Sequence, residues 1–200
     1  MNFSCCIDSP VGLLTVVSDE RAVMRIRFGR FADDSAAAAT VQLTADPAQS
    51  ADALRSAVSA ELPDAARPKA DPRPTAMAPE VLRQAVRELA EYFAGERQIF
   101  TVPVAPAGTP FQQQVWAALQ RIPYGATCSY RAIAEAVGNP KACRAVGMAN
   151  HRNPIPILIP CHRVVGANGA LTGYASGLKI KSQLLQLESA GRGDSLFALA

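Results

Sequence analysis

The 200-residue chain has no uninterrupted apolar stretch approaching the roughly 20 residues of a membrane helix. Its start, Met1-Asn2-Phe3-Ser4-Cys5-Cys6-Ile7-Asp8, lacks the basic head and apolar core of a secretory signal, so a cytoplasmic location is expected. Histidine is scarce: only His151 and His162 occur, both in the second half, and the adjacent Cys5 and Cys6 therefore lack partners for a tetrahedral metal site. No metal or other cofactor is expected. The 5 cysteines are odd in number and without framework spacing, which argues against a disulfide scaffold and leaves at least one thiol free. What the chain does have is 49% hydrophobic residues, enough to bury one full core or to build two small domains.

Charge is unevenly spread. The net charge is +3, yet residues 108–190 hold eight basic residues (Arg121, Arg131, Lys141, Arg144, Arg152, Arg163, Lys179, Lys181) against Glu135 and Glu188, a net of +6, leaving about −3 for the rest. A basic second half beside an acidic first half fits a polyanionic partner, although a solvated charged face would look the same.

Near the N-terminus, a turn at Ser9-Pro10-Val11-Gly12 leads into a strand over 13–18, and Met24, Ile26 and Phe28 alternate with Arg25 and Arg27 in the period of a half-buried second strand. These two strands form an antiparallel hairpin. Residues 30–78 are rich in Ala, Asp and Pro and read mostly as a mobile surface insertion, with a short helix around 51–62. Apolar residues at helical spacing from Val81 to Phe93 mark a helix stopped by Gly95, and residues 98–104 read as an edge strand that proline confines to the sheet edge or a linker. A boundary at 106–108 divides the chain into domains of 1–105 and 106–200.

The second half opens with Thr109 as N-cap and Pro110 at the first helical position. Ser129 caps a short helix over 130–137, and Gly138-Asn139-Pro140 separates it from another over 141–148, a helix-turn-helix pattern. On the second of these helices Ala142, Ala145, Gly147 and Ala149 keep the exposed surface thin while Lys141 and Arg144 make it basic, which suits close approach to a sugar-phosphate backbone. Tight helix packing would explain the small residues equally well.

The most informative segment is Pro154-Ile155-Pro156-Ile157-Leu158-Ile159-Pro160-Cys161-His162-Arg163-Val164-Val165, which sets a cysteine beside a histidine in a run too apolar to be solvated. A cysteine so placed is usually inert packing, but a buried thiol with a proton acceptor at hand is also what a cysteine nucleophile requires. Taken with Pro123-Tyr124-Gly125, Ser129-Tyr130, Gly138-Asn139-Pro140, Arg144-Ala145-Val146-Gly147, Asn153-Pro154, Gly173-Tyr174 and Leu184-Leu185 to Glu188, the segment resembles the O6-alkylguanine-DNA alkyltransferase family over 108–188 in order and spacing. The N-terminal hairpin is similar to that family's first domain, though less specifically.

The resemblance implies an α+β fold, with a small ribonuclease H-like N-terminal sheet and helix domain and a C-terminal winged helix-turn-helix-like domain. It also implies direct-reversal repair, with an alkyl group moved once and irreversibly from guanine O6, and to a lesser extent thymine O4, onto Cys161. The implied partner is double-stranded DNA containing O6-alkylguanine, engaged by a monomer or by cooperative clusters, with no membrane and no obligate protein partner. His162 would take the thiol proton through a water, the two side chains pointing apart on an extended strand, and Glu188 would orient the imidazole. Asn153 is implied as the hinge beside the cysteine. Arg144 would fill the gap left by a flipped base, with Lys141, Ala145 and Gly147 along the minor groove, and Tyr130 would donate toward guanine N3. Tyr174 would pack on the base, the Ala175 amide would bond O6, the carbonyls of Cys161 and Val164 would accept the exocyclic amine, and Pro156 would line the alkyl pocket.

Where many members have glycine the chain has Ser176, from which a narrower pocket is expected. A lesion-binding relative without chemistry is the main alternative, and Cys161 speaks against it. A helix-turn-helix regulator would leave the Pro-Cys-His-Arg segment unexplained, and a cysteine hydrolase would turn over.

Overall fold

The computed structural model describes residues 2–29, 39–42 and 79–190. Strands β1 (Phe3–Ser9), β2 (Gly12–Ser18), β3 (Val23–Phe28) and β4 (Ala39–Gln42) form one sheet in the order β3-β2-β1-β4. The expected hairpin is β2 and β3, paired antiparallel with Val16 opposite Ile26. The strand that precedes it, β1, was not expected; Cys5, Cys6 and Ile7 are buried there, and it pairs antiparallel with β2 through the turn at Ser9 and Gly12. Strand β4 lies within the stretch expected to be a mobile insertion and runs parallel to β1, so that expectation is corrected for 39–42; the helix expected around 51–62 lies outside the described residues.

Helix α1 (Glu80–Phe93) buries Leu82, Ala85, Val86, Leu89 and Tyr92 and is followed by Gly95, whose φ of 79° a residue with a side chain would resist. Buried Glu88 on the same helix accepts bonds from the Thr101 and Val102 amides and so fastens the segment that follows. That segment makes a single bridge, Val104 to Val23, rather than the expected edge strand, because Pro103 has no amide to donate.

In the second half, α2 (Pro110–Leu119) begins with a full capping box between Thr109 and Gln112. It buries Val115, Trp116 and Leu119. A two-residue strand β5 (Cys128–Ser129) leads into α3 (Tyr130–Ala136), capped by Ser129 as expected. Helix α4 (Cys143–His151) starts two residues later than expected, since the turn after Gly138 runs on through Lys141. Cys161–Arg163 form one 3-10 turn, β6 (Val164–Val165) pairs parallel with β5, and α5 (Leu178–Ala190) turns Lys181, Leu184, Leu185 and Glu188 inward. One hydrophobic cluster runs through both halves, from Ile7 and Leu14 to Ile159 and Leu184, and the Ile26 amide bonds the Pro154 carbonyl at 2.8 Å across them. Among the described residues no helix is long and apolar enough to cross a membrane.

Candidate active site

The segment 153–161 is wound tightly because three prolines, Pro154, Pro156 and Pro160, prevent a ladder and an asparagine replaces it. Asn153 Nδ2 donates to the Ile159 carbonyl at 2.8 Å and to Cys161 Sγ at 3.1 Å, while its Oδ1 accepts the Ile155 amide at 3.0 Å. Inside this loop the buried Ile157 takes φ 76°, a left-handed conformation that is costly for a β-branched residue and is found where surrounding contacts enforce it. The Cys161 amide bonds the Ile159 carbonyl and the Arg163 amide the Pro160 carbonyl, closing the 3-10 turn. Cys161 and His162 therefore sit on a helical turn, not on the extended strand expected, and both are buried.

The wall behind the thiol is a charged network. His162 Nε2 lies 2.8 Å from Glu188 Oε1, which assigns the ring proton to Nε2 and leaves the buried Nδ1, without a hydrogen-bond partner among the described residues, as the basic nitrogen. Arg163 grips the same carboxylate through Nε at 2.9 Å and Nη2 at 3.0 Å, and its Nη1 donates to the Ile122 carbonyl. The Gly125 amide and the Tyr92 hydroxyl complete the set at 3.1 and 2.8 Å. Burial alone would raise Glu188, but the His162 hydrogen bond and the Arg163 charge outweigh it and hold the carboxyl at about 2. Burial lowers His162 against the pull of Glu188, and burial raises Cys161 against the Asn153 bond and the Lys181 charge, so the resting pair is neutral thiol and neutral imidazole.

Lys181 is fully buried and points its ammonium at the carbonyls of Val164 (2.6 Å) and Thr172 (2.8 Å), with the Tyr130 ring 6.0 Å away. The Val164 carbonyl, expected to await an exocyclic amine, is thus already bonded. Tyr130 donates to the Thr172 carbonyl at 3.1 Å, and its ring edge lies 3.9 Å from where a Cβ on Gly147 would project. A cavity of about 360 Å³ opens at the thiol and is lined by Asn153, Pro156, Cys161, Tyr174, Ala175 and Ser176, all expected at the site. Its far wall is Ile26, Arg27 and Phe28 of β3, with Phe28 edge-on to Tyr174 at 6.4 Å, and Asn150 adds a buried amide whose two polar atoms are unpartnered among the described residues.

Lys141, Arg144 and Ala145 are exposed on or just before α4 and do not line this cavity; Met148 beside them is 52% exposed. Ala149, expected on that thin surface, is instead buried and accepts the Trp116 indole proton at 2.9 Å. Sequence reading missed Tyr92, Lys181, Asn150 and the β3 wall. Lys181 had a signal, since it lies seven residues before Glu188 and two turns along the same helix face; Tyr92 reads only as the end of an apolar stripe.

Two family models match the chain: the DNA binding domain of 6-O-methylguanine DNA methyltransferase over residues 110–190, and the ribonuclease-like domain of the same family over 4–106. The methylated-DNA--protein-cysteine methyltransferase of Methanosarcina acetivorans is 63% identical over 109 residues, 54% of this chain and 70% of that protein. The constitutive enzyme of Bacillus subtilis is 61% identical over 108 residues, 54% and 66% respectively. Among solved structures, Mycobacterium tuberculosis OGT in complex with DNA superposes with a TM-score of 0.69 at 36% identity, covering 94% of this chain and 93% of that one. With both models matched in order, the Cys161 thiol at the cavity and the adjacent His162 bonded to Glu188 in the core beneath it, the chain belongs to the 6-O-methylguanine DNA methyltransferase family.

Proposed function

We propose that the protein repairs O6-alkylguanine in double-stranded DNA by direct reversal, taking the alkyl group onto Cys161 in a single turnover. The observation that carries this reading is the buried Cys161 thiol, held by Asn153 at the cavity and backed by the His162–Glu188 pair. His162 Nδ1 takes the thiol proton through a water, and Glu188 stabilises the imidazolium through Nε2. The thiolate attacks the alkyl carbon, the S–C bond forms as the C–O6 bond breaks, and the electron pair passes into the guanine ring. Tyr130 gives the ring its proton at N3. Burial raises the phenol, so Tyr130 is protonated at rest and its proton is in place when the base arrives.

A stacked base cannot reach a buried thiol, so the nucleotide must be flipped out. Exposed Arg144 serves to fill the gap, with Lys141, Ala145 and Gly147 against the backbone and groove. Tyr174 then packs on the base, with Ala175 and Pro156 around the reacting group. Ser176 narrows the same cavity, so methyl adducts react faster than benzyl; equal rates on O6-methyl- and O6-benzylguanine would contradict this. The protein acts as a monomer on its DNA.

A thioether has no hydrolytic exit, so product must be stoichiometric. Titration of a fixed amount of protein with excess O6-methylguanine duplex should plateau at one restored guanine per chain. Continued turnover would favour a hydrolase, and tight lesion binding without restored guanine would favour the recognition-only alternative.

A further inference from the structure

Helix α1 belongs to the N-terminal half, yet Tyr92 near its C-terminal end reaches a carboxylate of the second half. Tyr92 is fully buried, edge-on to Phe93 at 5.3 Å and to Tyr124 at 6.0 Å, and its hydroxyl donates to Glu188 Oε1 at 2.8 Å, 96 residues away in sequence. Oε1 is the oxygen that also meets His162 Nε2. Packing alone needs only the ring; the hydroxyl is placed on the one carboxylate that orients the imidazole.

We propose that Tyr92 is a positioning residue of the proton relay, by which the N-terminal domain fixes and partly neutralises the Glu188 oxygen that holds His162. Burial first, then the charge of Glu188, drive the phenol well above its usual range, so it stays protonated and acts only as a donor. Oε1 shares its charge among Tyr92, His162 and Arg163 Nη2. Without the hydroxyl more of that charge falls on the imidazole N–H, which makes His162 more basic, and the carboxylate loses one of the donors that set its direction. A more basic imidazole is protonated before the thiol can use it, and a less fixed one transfers the proton less well.

The groups facing the pair are Arg163 and Lys181, both cationic and both opposing the imidazolium, with Cys161 and Tyr124, both raised by burial and neutral near pH 7. Because burial lowers His162, the acid limb of alkyl transfer in the native protein lies below the ordinary histidine value of 6.5, and loss of the Tyr92 hydroxyl moves that limb to higher pH.

This inference rests on the relay reading, and the test separates the two. Single-turnover transfer from O6-methylguanine duplex is followed from pH 5 to 9 for the native protein, Tyr92→Phe, Glu188→Gln and the double variant. For Tyr92→Phe we expect a roughly tenfold slower transfer at pH 7 and an acid limb raised by about half a pH unit. Affinity for undamaged duplex stays unchanged, and in the Glu188→Gln background the added Tyr92→Phe costs less than about twofold. A native rate and limb in Tyr92→Phe, or a full additional loss on top of Glu188→Gln, would overturn the role. Should Tyr92→Phe not fold, 3,5-difluorotyrosine installed at position 92 keeps the shape and strengthens the donor. The limb then moves to lower pH, and an unmoved limb refutes the proposal. Failure of the native protein itself to restore guanine would sink the relay reading rather than the part given to Tyr92.

Discussion

Asn153 does three things with one amide: it closes the 153–159 turn at both ends and places a donor on the reactive sulfur. Asn153→Ala leaves the Ile155 amide and Ile159 carbonyl without that partner and takes away one of the influences that lower the thiol's pKa. We expect a loss of about 1–3 kcal/mol in stability by urea unfolding, and at least about tenfold slower methyl transfer, since both thiolate formation and its aim suffer. A variant with the native transfer rate would remove Asn153 from the chemistry. At this scale the sequence was legible wherever a residue's neighbours are near in the chain: Cys161, His162 and Asn153 stand in one short apolar run. It was illegible where the partner is remote. Lys181 reads as a surface charge because the carbonyls that surround it, Val164 and Thr172, carry no side-chain signature. Asn150 looks like any helical asparagine until the cavity is seen.

The elements that carry the site are short and start from strong local signals. Thr109, Pro110 and Gln112 together fix where α2 begins, and the start is clamped because Gly108 lies against the indole of buried Trp116. A Cβ on Gly108 would come within 2.4 Å of the Trp116 ring, a rigid and buried neighbour that cannot yield cheaply. Gly108→Ala should therefore destabilise by about 1–3 kcal/mol, read as a lower urea midpoint at constant slope; an unchanged midpoint would show that the indole moves freely. Caps and apolar periods gave α1, α2 and α3 nearly to the residue. The edges of sheets were harder. Val104 and β4 pair through backbone groups whose partners are set by the sheet rather than by their own side chains, and the Cys161 turn is helical only because Pro160 and the wound loop before it force it.

Across the described residues, the two halves meet at two places that matter to the chemistry: β3 bonds the Pro154 carbonyl and lines the cavity, and α1 reaches Glu188. Glu188 is also a stability device, because its folded pKa is depressed. A group held at about 2 against an ordinary 4.5 contributes on the order of 3 kcal/mol, fully present above pH 4.5 and lost as the pH falls toward 2. Acid unfolding followed by circular dichroism should begin within that window, and Glu188→Gln should flatten the dependence there while lowering stability at pH 7. A native protein whose stability is level from pH 4.5 to 2 would contradict the buried network.

The account turns on one sulfur. Peptide mass mapping after reaction with slightly less than one equivalent of O6-methylguanine duplex should find one added methyl, on Cys161, matched by restored guanine, with half-buried Cys128 and Cys143 unmodified. An unmodified Cys161 after the lesion has been bound, or a methyl on another cysteine, would contradict it.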